Sequence, residues 1–115
     1  MTIGSAFYFK GTVGGAALEN IPALGVAPRV FLMYGSNPSA TDAVWAVLNQ
    51  TGPSGGIRVA ILVPAGGTFS YAPSGGARDF SPGLQFGSST DPAAYAASGV
   101  DLVVHFEGRI LAEPP

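Results

Sequence analysis

Glycine and proline interrupt this sequence so often that it reads as short runs separated by turns. Seventeen glycines and ten prolines fall among 115 residues. Many stand in clusters: Gly14-Gly15, Pro53-Ser54-Gly55-Gly56, Pro64-Ala65-Gly66-Gly67 and Gly75-Gly76. Short apolar runs broken by such clusters are the signature of a β-sandwich or barrel. No segment repeats at a fixed period, which excludes solenoids and propellers. The expectation is one domain over residues 1–115, all-β, a small antiparallel β-sandwich of about six to eight short strands.

The runs can be placed one by one. Ala6 to Val13 sets Phe7, Phe9 and Val13 on one face and Tyr8, Lys10 and Thr12 on the other. Residues 16–28 read as a connector with one short strand around Leu24 to Ala27. Arg29 to Tyr34 is apolar on both faces, with Val30, Leu32 and Tyr34 on one and Phe31 and Met33 on the other. Asp42 to Gln50 begins like a capped helix at Thr41 or Asp42. It is short, lacks a capping box and carries Val44, Trp45 and Val47, so it reads as a strand. Ile57, Val59, Ile61 and Val63 share a face, and the Pro64–Gly67 turn leads into a return strand, Thr68 to Ala72, with Phe69 and Tyr71 inward. Residues 73–82 read as loop. Gly83 to Gly87 carries Leu84 and Phe86, and residues 88–99 form a loop with a helical turn after Asp91-Pro92. The last run alternates most clearly: Leu102, Val104 and Phe106 inward, Asp101, Val103, His105, Glu107 and Arg109 outward.

Chemistry is hard to find. There is no cysteine, so disulfides, thiolate metal sites and thiol nucleophiles are excluded. The single histidine, His105, stands on an outward face with no base or nucleophile assigned to it. Seven acids are spread singly and match neither a calcium loop nor a zinc pair. The glycine clusters precede no long helix and so make no phosphate loop. Asn49-Gln50-Thr51 fits a glycosylation acceptor, a pattern too short to carry weight. Net charge is −2 and the five cations stand apart, which argues against nucleic acid. Apolar stretches such as Val59 to Ala65 fall far short of the roughly 20 residues that span a bilayer. Met1 to Phe9 lacks the basic and apolar regions of a signal peptide. The reading is a protein without enzymatic activity, cofactor or metal, not exported and not in a membrane.

The composition points toward protein surfaces instead. Only 10% of residues are charged, against roughly 25% in an ordinary soluble domain, and apolar residues make up 47%. Interface cores are depleted of charge in this way. Assigning core faces by alternation leaves Phe31, Met33, Trp45, Val47 and Leu62 outward. These five are the candidate subunit or partner interface, with Trp45 as anchor. Folding of residues 16–28 or 73–99 over them is the alternative.

The stretch Ile57-Arg-Val-Ala-Ile-Leu-Val-Pro-Ala-Gly-Gly-Thr68, the segment Phe80-Ser-Pro-Gly-Leu-Gln-Phe86 and the closing Val100-Asp-Leu-Val-Val-His-Phe106 resemble small tailed-phage virion proteins. The resemblance covers roughly residues 29 to 110 and departs from the pattern at Asp42 to Gly56. It implies a capsid decoration (cement) protein, a β-sandwich or jelly roll bound to the major capsid protein outside the phage head, often as a homotrimer. Met1–Ser5 and Ala112–Pro115 would then be open segments reaching a neighbour. Alternatives are a tail or neck adaptor or a head-fibre component. From another class comes a carbohydrate-binding module with Trp45, Tyr34 or Tyr71 as sugar platform.

Overall fold

One long hairpin, rolled up on itself, accounts for all the strand pairings but one. The computed structural model describes residues 3–53 and 55–111. Its strands are β1 (Ile3–Val13), β2 (Glu19–Ile21), β3 (Pro28–Ser36), β4 (Val44–Gln50), β5 (Gly56–Val63), β6 (Thr68–Tyr71), β7 (Arg78–Asp79), β8 (Leu84–Ser89) and β9 (Leu102–Leu111). β4 pairs with β5, β3 with β6, β2 with β8 and β1 with β9, all antiparallel. These nested pairs fall alternately into two sheets, ordered β1-β9-β3-β6 and β2-β8-β4-β5, with β7 added beside β3. That order is a jelly roll, the two-sheet, double Greek-key sandwich.

The inner faces meet in a dry core. Leu102, Val104 and Phe106 of β9 are fully buried, as their alternation requires. Opposite them stand Leu84 and Phe86 of β8 and Val44, Ala46 and Leu48 of β4. A run of rings crosses the core: Phe9 to Phe106 at 6.3 Å, Phe106 to Phe86 at 5.8 Å and Phe86 to Phe69 at 6.3 Å between centroids. Such pairs contribute roughly 0.5–1.5 kcal/mol each beyond their buried area.

Several elements depart from the pattern read above. The short second strand is Glu19–Ile21, and Leu24 lies in an exposed loop at 82% exposure. Residues 42–50 form a strand, Val44–Gln50, and no helix. No helical turn follows Pro92, because Asp91 Oδ1 accepts from Ala93 N at 2.7 Å and closes an Asx turn instead. Ile3–Ser5 continue β1 rather than forming an open segment. Residues 112–115, read as a tail, lie outside the described residues.

The largest correction concerns β3. Strict alternation turns Met33 outward with Phe31, yet Met33 is fully buried while Phe31 is 39% exposed. A register shift between Val30 and Leu32 inserts one extra residue against β9. A one-residue bulge moves every later side chain to the opposite face. Val30 therefore points inward before it and Met33 after it, and Leu32 and Tyr34 turn out. Gly108 stands opposite this irregularity. A Cβ there would collide with the Arg29 carbonyl and lie 2.9 Å from the Phe7 ring, so the close strand approach requires glycine.

Val104→Asp is expected to unfold the protein, since an unpaired carboxylate in this core costs several kcal/mol against a typical total of about 5–15. Circular dichroism and melting check it. A folded Val104→Asp variant would show that β9 faces the other way.

Candidate interaction surfaces

A sandwich buries one face of each sheet, and its outer faces hold whatever it presents to others. On the sheet β1-β9-β3-β6 the register builds rows of outward side chains. Lys10 pairs with His105 and His105 with Tyr34, while Tyr8 pairs with Glu107 and Glu107 with Leu32. The aromatic members are locked together. Tyr8 Oη and His105 Nδ1 are hydrogen-bonded at 2.7 Å. The Tyr34 ring stacks on the imidazole at 4.7 Å, tilted by 6°. Its hydroxyl is held above the ordinary tyrosine range, first by a hydrogen bond with Tyr8, then by burial and by the charges of Tyr8 and Glu107. Tyr8 is 57% exposed, and Phe31 is turned out on the bulge nearby.

Beyond this cluster Arg29 pairs with Asp79 of β7, with Nε 2.6 Å from Oδ1 and Nη2 3.1 Å from Oδ2. The guanidinium holds the Asp79 carboxyl below its usual range, chiefly through its hydrogen bonds, against the opposing effect of burial and with a lesser contribution from its charge.

The outer face of the other sheet divides into three zones. Trp45 pairs with Leu62 and with Ser89. Trp45 is half-buried and Leu62 is 55% exposed. Next along β4, Val47 pairs with Ala60 and Gly87. It is fully buried although it lies outside the inter-sheet core. The reason is a cover: a Cβ on Gly87 would come within 2.7 Å of both Leu18 and the Tyr95 ring. Tyr95 is pinned there by donating to the Gly14 carbonyl at 2.8 Å, and Ser88 and Ser98 hydroxyls meet at 2.7 Å beneath the same loop. The third zone is polar. Asn49 donates to Gln85 at 3.1 Å and Gln85 to Asn20 at 3.3 Å, an amide ladder across three strands.

The five residues singled out in the sequence therefore do not make one surface. Phe31 and Met33 belong to one sheet, Trp45, Val47 and Leu62 to the other. Met33 is core because of the bulge, and Val47 is sealed by Leu18 and Tyr95. Phe31, Leu62 and part of Trp45 reach solvent. Tyr8, His105 and Tyr34 were not singled out. Alternation does turn Tyr8 and His105 outward, but only the order β1-β9-β3 brings residues 8, 105 and 34 together, and Tyr34 faces out only because of the bulge.

The Tyr8–His105 pair lies on an outer sheet face. An open depression of about 240 Å³ is lined by Tyr71, Pro73, Ser74, Ala77 and Arg78. No three histidine, aspartate or glutamate side chains among the described residues gather to hold a metal, and no helix among them is long and apolar enough to cross a membrane. No family model, curated protein or solved structure matches this chain.

The Arg29–Asp79 pair gives a pH test. Asp79 has a folded pKa below its unfolded value, so its stabilisation is present above the ordinary carboxylate range and is lost as pH falls through the folded value. Both side chains are partly exposed to solvent, which keeps the effect on stability small. NMR titration is expected to place Asp79 below about 3.9, and Arg29→Gln to return it to the ordinary range. An Asp79 midpoint unmoved by Arg29→Gln would contradict the pairing.

Proposed function

We propose that this protein is a non-enzymatic structural component of a virion, a decoration protein that binds the major capsid protein on the outside of a phage head. The observation that carries this reading is the set of large apolar side chains left in solvent by a closed core. Phe31 at 39% and Leu62 at 55% exposure lie on opposite faces, with Tyr8 at 57% beside the first. Only 10% of residues are charged. Exposed apolar side chains with few charges around them favour broad contact with other protein. Jelly rolls occur in capsid proteins, but lectins and other proteins share them, so the case rests on these surfaces and on the resemblance of the sequence to small tailed-phage virion proteins.

A second reading draws support from the amide ladder. Asn49, Gln85 and Asn20 offer donors and acceptors on the same outer face as Trp45, the combination that a carbohydrate-binding module uses. Against it, Trp45 is half-buried, and the covered Val47 stands between it and the amides along β4.

Co-sedimentation with capsid shells of the same genome tests the proposal. The wild-type protein is expected to pellet with shells, and Leu62→Asp to lose at least about tenfold in affinity, as truncating or charging an interface anchor does. Its melting temperature should stay close to wild type because Leu62 is outside the core. Failure to pellet, with binding on a glycan array, would replace the decoration reading by the carbohydrate one.

A further inference from the structure

The outer face of the β1-β9-β3-β6 sheet carries a block of four residues with an unusual arrangement of charge. Lys10 pairs with His105 in one row and Tyr8 with Glu107 in the next. Strand and row spacings of about 5 and 7 Å make this a small rectangle. Tyr8 and His105 occupy one diagonal, joined by their hydrogen bond. Lys10 and Glu107 occupy the other. Both are exposed, and neither makes an ion pair with another described residue. Lys10 is the one lysine of the chain, and it stands on the face that also presents Tyr8, Tyr34 and Phe31.

Such a block is complementary to itself. A two-fold axis lying in the face, through the centre of the block and at right angles to the Lys10–Glu107 diagonal, exchanges the two ends of that diagonal. Lys10 of one copy then meets Glu107 of a second, and Glu107 meets Lys10. Tyr8 and His105 lie close to the axis and meet their own counterparts there, with Tyr34 extending the ring surface. An isologous contact needs this property, that a patch and its own rotated image agree in charge.

We infer that this sheet face is a two-fold self-association surface, and that its partner is a second copy of this chain. The pairing is two-fold, not the three-fold that the resemblance implies. Capsid binding is tested separately, through Leu62 on the opposite face.

Sedimentation equilibrium of the purified full-length chain over a wide concentration range tests it. The wild type is expected as a dimer of twice the 11.6 kDa chain. Lys10→Glu sets two pairs of like charges against each other and should weaken the dimer at least about tenfold, and Glu107→Lys should do the same. The double variant, Lys10→Glu with Glu107→Lys, restores opposite charges and should return the dimer to near wild-type strength. At concentrations low enough for the wild type to be monomeric, all three should melt with it, because both positions are exposed. A wild-type monomer or trimer, a dimer indifferent to the single reversals, or a double variant no stronger than either single would overturn the inference.

Discussion

Phe86 against Phe106 is the contact on which the rest depends. Phe86 sits on the inner face of β8 and Phe106 on that of β9, one in each sheet, both fully buried with ring centroids 5.8 Å apart. Around that contact Phe9 and Phe69 extend the row of rings across the β1-β9-β3-β6 sheet. Neither sheet keeps its inner face out of water alone, so the sandwich stands or falls with this seam.

Closing the seam decides what remains outside. On the β2-β8-β4-β5 sheet, Leu18 and Tyr95 lie over Gly87 and take Val47 out of water, leaving Leu62 and a half-buried Trp45 at one side and the amide ladder at the other. On the opposite sheet Tyr8 and Phe31 are exposed and His105 and Tyr34 half-buried, on the face that also carries Lys10 and Glu107. The proposed roles follow from that division: one face carries the anchor proposed for a shell, the other the self-complementary block.

Much of this was legible in the residues. The alternation of Leu102, Val104 and Phe106 gave the inner face of β9 directly, and that of Phe7, Phe9 and Val13 gave β1. The turn at Pro64–Gly67 separated β5 from β6. What local pattern does not contain is which strands lie side by side. The row Lys10–His105–Tyr34 exists only because the rolled hairpin sets β9 between β1 and β3. Parity in β3 was hidden for a different reason. Val30 to Tyr34 is apolar throughout, so nothing in the sequence marks the bulge that sends Met33 inward. Val47 is different: it does face outward, and residues 18 and 95 bury it from within the two segments that the alternative reading folded over it.

The absence of cysteine makes the exposure pattern directly measurable. Single cysteines at positions 31, 33, 45, 47 and 62 can each be reacted with a small thiol reagent under native conditions. The account predicts fast labelling at 31 and 62, slower labelling at 45, and protection at 33 and 47 until the protein opens. Labelling at 33 as fast as at 31 would mean that β3 alternates without a bulge, and the assignment of both outer faces would fall with it.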